Sequence, residues 1–387
     1  MNGRERLLKT FRGEKVDRVP ICPWVYKNLP YRYFDIAPDK QKWREKDDLA
    51  REELEVFNFF GFDHLSRLGT PWHVYDEKSS DNGKWEVAVE FKREDRGDIE
   101  ITTIKTPQKE LRQIKKFKQT SRYTYIEAIT EYFIKDQDDF NQFVKYQPSF
   151  NDAVYPAVKE EFDKLQKSKD IMGDSGVVVG CSHGAFNCIN MYRNLELMMM
   201  DPYTDEVFYK EMIEFFSSRA FDISAKMAQH GADIIELAAN LATSGVGENF
   251  YKNYVLEYEK ILIDKIHTLG VFDIFHNCGD ADKIMHLYND IGINAWGYLT
   301  PPPYGDVDLD KALDVINKNT VLLGNIDQVD FMVKASVSEI KERVKNLMEK
   351  VKPRGNFILS TSDWFFDSTP FENMKAFAEA GLEFGRY

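Results

Sequence analysis

From Gly176 onward, short apolar runs alternate with amphipathic stretches in a steady rhythm. The runs are Val177-Val178-Val179-Gly180, Asp233 to Leu237, Val271 to Phe275, Ile293 to Tyr298, Thr320 to Asn325 and Asn356 to Ser360. They are rich in β-branched and aromatic residues and too short for helices, which predicts strands buried on both faces. Between and after them the spacing predicts helices over Thr204 to Gln229, Asn253 to Leu269, Ala281 to Asp290, Leu309 to Asn317, Val337 to Val351 and Phe371 to Phe384. Buried strands alternating with helices imply a parallel sheet. Six such units, with earlier strands to add, favour an α/β (β/α)8 TIM barrel over an open sheet.

The first part of the chain is less regular. Arg4 to Arg12 is a short amphipathic helix stopped by Gly13, and Val16 to Cys22 leads into a first strand. An aromatic stretch follows, with Trp24, Tyr26, Tyr31, Tyr33 and Phe34. It is either packing over a barrel mouth or one wall of a pocket for a flat apolar ligand. Asp47 to Phe60 reads as a helix, and Trp85 to Phe91 with Ile99 to Ile104 as a β-hairpin around Gly97. Tyr125 to Phe143 and Asp152 to Lys167 read as helices punctuated by Pro148 and Pro156. With no repeat and no linker, the expectation is a single domain over residues 1–387, a barrel with N-terminal helical and β-hairpin elaborations.

Composition narrows the function. The net charge of −13 argues against nucleic acid, which demands a basic patch, and suits a protein that docks another protein. No apolar window is long enough for a membrane helix, and Met1 to Arg12 lacks a signal-peptide core. Cys22, Cys181, Cys188 and Cys278 are scattered, as in a reducing cytoplasm. No glycine-rich phosphate loop follows any strand.

The chemistry gathers at predicted strand ends, where barrels keep their active sites. His276 and Cys278 lie two residues apart at the end of an apolar run, so both point to one face. Nitrogen and thiolate sulfur suit Zn²⁺, though the same pair also reads as a half-buried histidine and a small hydrophobe. Asp363 ends the last strand and offers a third donor; alternatively it caps the next element. Glu236 is a fourth ligand, a partner fixing the His276 tautomer, or one half of a buried ion pair. His183, Tyr298 and Asn325 arrive at the same face. Cys181 and His183 are too close in sequence to be read as a nucleophile and its base.

The opening Arg6 to Pro20 resembles that of the uroporphyrinogen decarboxylase superfamily. So do Gly231-Ala232-Asp233, His276-x-Cys278-Gly279, Gly324-Asn325-Ile326-Asp327 and Thr369-Pro370-x-x-Asn373. The resemblance implies a (β/α)8 barrel and two alternative chemistries. Decarboxylases carry arginines after the first strand to hold a tetrapyrrole; here Ile21 to Asn28 carries aromatics instead. The other branch comprises zinc methyltransferases that work with corrinoid proteins, marked by His-x-Cys. In its thiol-methylating members a cysteine six residues before Thr-Pro is the third ligand, and Asp363 stands there. The resemblance therefore implies zinc on His276, Cys278 and Asp363, with Glu236 alongside. A carboxylate leaves zinc a stronger Lewis acid for an ether oxygen. The expected function is the methyltransferase of an anaerobic O-demethylase, moving methyl from an aryl methyl ether (guaiacol, vanillate or veratrol type) to Co(I) of a separate corrinoid protein. Trp24, Tyr26, His183, Tyr298, Asn325, Trp364 and Phe365 are the expected substrate contacts. A cytoplasmic location and a homodimer are compatible with this. The rivals are a coenzyme M type methyltransferase, a decarboxylase and a non-catalytic docking barrel.

Overall fold

The structure is a computed structural model that describes residues 1–36, 46–67, 84–93, 97–148 and 156–387. Asn2 opens the first helix, Gly3–Phe11, by accepting the Glu5 amide at 2.7 Å, and Gly13, at φ 69°, turns the chain away beyond its end. The helix presents Leu7 and Phe11 to a cluster that includes Leu65, Val177, Ile234, Ile274 and Leu323. These last five are side chains pointing into a barrel, so the helix plugs its floor. Burying each plug residue contributes on the order of 2 kcal/mol.

The strands come in two groups. After β1 (His64–Arg67) the chain lays down β2 (Glu86–Lys92), β3 (Asp98–Lys105), β4 (Glu110–Gln119) and β5 (Tyr125–Glu131), a four-stranded antiparallel sheet in sequence order. Then come β6 (Gly176–His183), β7 (Ile234–Ala238), β8 (Phe272–His276), β9 (Ala295–Leu299), β10 (Val321–Ile326) and β11 (Phe357–Thr361). These six follow β1 in one parallel sheet, neighbour by neighbour. Its two edges are joined by Pro20 to Cys22: Cys22 N–H donates to Leu359 at 2.8 Å, Leu359 N–H to Pro20 at 2.9 Å, and Asp63 N–H to Ile21 at 2.8 Å. That short stave makes the eighth and closes a (β/α)8 barrel.

Two carboxylates hold the floor. Asp63, buried, takes Arg6 and Arg18 guanidinium bonds at 2.6 Å each and the Ile21 amide at 2.8 Å. Asp233 takes both Nη atoms of Arg4 at 2.6 Å, and the Val178 amide at 3.1 Å. Removing either aspartate would strand cations that it neutralises. The opening Arg6 to Pro20 and Gly231-Ala232-Asp233 are thus architectural.

The hairpin of β2 and β3 and the C-terminal helices Val337–Val351 and Phe371–Phe384 match expectation. Tyr125 to Phe143 does not. Its first part is β5 and only Gln137–Tyr146 is helical. Ile126, Ile129 and Phe133 have helical spacing, but Tyr, Ile and Thr suit a strand, and pairing with β4 decides the outcome. The Asp152 to Lys167 helix is seen as Pro156–Met172, and residues 152–155 lie outside the described ones. The Thr204 to Gln229 helix is seen as Glu206–Gln229, its start set by Asp205, which caps it through the Phe208 amide. Asn253 to Leu269 resolves into Glu248–Tyr254 and Leu256–His267, and Ala281 to Asp290 into short turns around Met285–Leu287 and Tyr288–Ile291. No described helix is long and apolar enough to cross a membrane.

One buried carboxyl makes the fold pH-sensitive. Glu259 accepts the Ala185 and Phe186 amides at 2.9 and 3.1 Å, anchoring the helix after β6. Burial nevertheless pushes it up to about 7 from the usual 4.5. The folded state therefore holds this proton more tightly than the unfolded chain. That stabilisation is complete below about pH 4.5 and is lost as pH rises through about 7. Glu259→Gln cannot ionise, so its stability relative to wild type should improve by about 1–3 kcal/mol between pH 4 and pH 8. Urea midpoints at the two pH values measure this; an unchanged difference would show that Glu259 ionises as an exposed glutamate does.

Candidate active site at the carboxyl ends of the strands

Side chains on a strand alternate between faces, and that alternation aims the site residues. Ile234 points inward on β7 and Ile274 on β8, so Glu236 and His276 do too, one layer higher. Across the two strands Glu236 Oε1 lies 2.6 Å from His276 Nδ1. The other carboxylate oxygen, Oε2, accepts from Arg67 Nε of β1 at 2.6 Å. All three side chains are buried. Burial alone would push Glu236 up, but Arg67 and His276 overcome it and hold the carboxyl below its usual value. Burial likewise opposes a charge on His276, yet Cys278 and Glu236 raise the imidazole to about 10.

Cys278 follows on the same face and acts on two neighbours. It raises His276, and it favours the ionised form of Asp363 beyond the end of β11. Burial dominates at Asp363 and raises it, while Asp363 Oδ1 accepts the Trp364 amide at 2.7 Å. The final helix is capped at Pro370, so Asp363 is not its cap. Among the described residues, no three His, Cys, Asp or Glu side chains stand as a ready-made metal cage. His276 and Asp363 are both neighbours of the Cys278 thiol.

Aromatic rings surround this cluster. Trp24, two residues beyond the closing stave, stacks on Tyr298 of β9 with centroids 5.5 Å apart and planes at 11°. Its edge meets His276 at 4.5 Å, and Tyr298 meets His276 at 4.9 Å. Trp364 packs edge-on to Trp24 at 5.5 Å and stacks on Tyr26 at 5.1 Å. Trp24, Tyr26, Tyr298 and Trp364 therefore form one wall. Phe365 does not join it. It lies 6.2 Å from both Phe62 and Phe377 in the core, so its expected role as a ring clamp is corrected.

His183 ends β6, and burial lowers it to about 4, leaving it a neutral imidazole. Asn325 is buried on β10 and its Oδ1 has no partner among the described residues. Cys181 is pushed far above the usual thiol range by burial, which suits packing rather than nucleophilic attack.

Arg67 is the residue that sequence reading missed. The strand that carries it, His-Leu-Ser-Arg, is four residues long and mostly polar. One signal was present. Gly61-Phe62-Asp63 precedes it as Gly231-Ala232-Asp233 precedes β7, each glycine at positive φ after a helix and each aspartate on the barrel floor.

A barrel floor sealed by a helix, with titratable side chains converging at the opposite mouth, defines the site of a (β/α)8 enzyme. The match is specific as well as architectural: the family description "Uroporphyrinogen decarboxylase (URO-D)" fits residues 126–384, and the chain belongs to that family. A methylcobamide:CoM methyltransferase of Methanosarcina acetivorans is 21% identical over 258 residues, 66% of this chain and 71% of that protein. A methylated-thiol–coenzyme M methyltransferase of Methanosarcina mazei is 26% identical over 40% of this chain and 39% of its own length. A uroporphyrinogen decarboxylase of Solibacter usitatus is 24% identical over 50% of this chain and 53% of its own length. Among solved structures, a methyltransferase from Methanosarcina mazei superposes over 99% of both chains with a TM-score of 0.70 at 16% identity, which shows a shared fold.

Proposed function

We propose that the protein is a corrinoid-dependent methyltransferase that takes the methyl group of an aryl methyl ether and delivers it to Co(I) of a partner corrinoid protein. The observation that carries this reading is the aromatic wall: Trp24 and Tyr298 stack on each other and both touch His276, beside Cys278 and Asp363. Flat aromatic walls suit a flat aromatic substrate. The methylcobamide and methylated-thiol enzymes among the relatives support methyl transfer with a corrinoid.

The donor set fits zinc. His276 has its Nδ1 occupied by Glu236, which leaves Nε2 as the ligand atom, the pattern in which a carboxylate orients a metal-binding histidine. His276, Cys278 and Asp363 would hold the ion, whose contribution is Lewis acidity at the ether oxygen. The chain's own residues do the rest. Glu236 fixes the imidazole, Arg67 fixes Glu236, and the four rings hold the substrate ring and exclude water. In the transfer the methyl carbon–oxygen bond breaks and its electron pair stays on oxygen. The carbon takes the electron pair of Co(I), and a phenol remains once the oxygen is protonated. Tyr298 Oη, buried without a partner among the described residues, is a hydroxyl donor on the wall.

A second reading, methyl transfer from methylcobamide to a thiol, is favoured by the relatives' activities. One assay separates the two. With cob(I)alamin and a panel of methoxylated aromatics, the protein should produce the methyl-Co(III) spectrum. Faster methylation of a small thiol from methylcobalamin than demethylation of every ether would assign the second reading instead.

A further inference from the structure

We propose that Arg67 is the receptor for a carboxylate carried on the ring of the aromatic substrate, an inference that rests on reading the barrel mouth as an aryl methyl ether site. A guanidinium has two hydrogen-bonding edges, and only one is used here. Nε donates to Glu236 Oε2 at 2.6 Å, while Nη1 and Nη2 are buried with no partner among the described residues, on a side chain only 5% exposed. Leaving such donors unmade is costly, because a buried charged group without its hydrogen bonds loses its whole hydration. The guanidinium carbon lies 5.4 Å from the Trp24 ring and 5.3 Å from that of Tyr298. Cation–π attraction offsets part of that cost but satisfies no N–H.

No carboxylate among the described residues fills the free edge. Glu236 divides its two oxygens between His276 and Arg67. Glu53 bonds Ser66 Oγ, next to Arg67 in the chain, and burial pushes it up to about 7. A planar carboxylate is the acceptor that matches an end-on guanidinium edge with two parallel bonds. Arg67 sits against the same two rings that border His276, so a ring lying on that wall brings a carboxylate substituent to the Nη edge and its methoxy group to the donor cluster.

The test uses 3-methoxybenzoate and its neutral amide, 3-methoxybenzamide, titrated into the purified protein by calorimetry or tryptophan quenching. Wild type should prefer the carboxylate by about 10- to 100-fold, the scale of one charge-assisted bidentate pair. Arg67→Gln weakens both ligands by releasing Glu236, so the ratio is the readout, and it should fall close to one. Arg67→Lys keeps the charge without the fork and should retain only part of the preference. If Arg67→Gln does not fold, wild type and Arg67→Lys carry the test. No carboxylate binding, no preference in wild type, or a preference unchanged in either variant overturns the inference. Methyl transfer from neutral 1,2-dimethoxybenzene with 3-methoxybenzoate ignored overturns it too, and leaves the proposed reaction standing. Arg67-dependent carboxylate binding without methyl transfer from any ether supports it and sinks that reaction.

Discussion

Cys278→Ala should lower methyl transfer by at least about 10³-fold, since under the proposed function it would remove a ligand from an ion whose Lewis acidity is worth several kcal/mol in the transition state. Zinc content should fall from about one per chain to a small fraction, because three-donor sites do not tolerate the loss of a thiolate. Melting should shift by only a few degrees. Cys278 sits at the mouth, whereas stability resides in the floor plug, the Asp63 and Asp233 clusters and the packed strand faces. Metal analysis, a donor assay and a thermal melt on one preparation measure all three. Zinc at full occupancy in the alanine variant would rule out Cys278 as a ligand, whatever happened to activity.

Asp363→Cys should keep zinc yet lower demethylation of a methoxyphenol by about 10²-fold, the size of a single electrostatic contribution at a developing oxyanion. A second thiolate donates more charge than a carboxylate and makes the metal a weaker acid. The loss should appear in kcat more than in KM, because the ether oxygen gains its negative charge only in the transition state. The same variant should gain relative activity with thiols, whose reaction benefits from an electron-rich donor set. The ratio of thiol to ether turnover, compared with wild type, is the measurement. A variant that demethylates ethers as fast as wild type would show that position 363 does not set the acidity of the site.

The legible parts of the chain are those whose signals are local. β6 to β11 are buried on both faces, so they stand out as apolar runs between helices; of the groups read from their ends, His276 closes β8, Glu236 stands in the middle of β7 and Asp363 lies two residues beyond β11. Of the three readings of Glu236, the structure shows two at once, the tie to His276 and a buried ion pair, the latter with Arg67, and neither partner could be chosen without the tertiary fold. β1 was invisible because most of its residues are polar and it is stabilised by neighbours far along the chain. β4 and β5 were hidden for a related reason: on an exposed antiparallel sheet, charged residues such as Lys115, Lys116 and Glu127 are compatible with a strand once its partner is in place. Phe365 was misplaced because Trp364 and Phe365 lie in the irregular stretch after β11, where no periodicity says which ring faces the mouth; the chain gives the wall to Trp364 and the core to Phe365.

The stave that shuts the barrel is three residues long, and Trp24 comes almost at once after it. Rim and lock are therefore a single piece of chain. The same piece is gripped from below, where Val19 N–H donates to Gly385 at 2.9 Å and Arg18 bridges to Arg386, so it is stitched to the segment after the last helix beneath the mouth. A lineage altering its substrate through this segment has little room to lengthen or shorten it, because each residue added before Trp24 would slip the lock by one pleat and reverse which side chains face inward. Substrate range in such a barrel can drift by exchange of side chains at fixed positions, while insertions are accommodated elsewhere, as the antiparallel sheet between β1 and β6 illustrates.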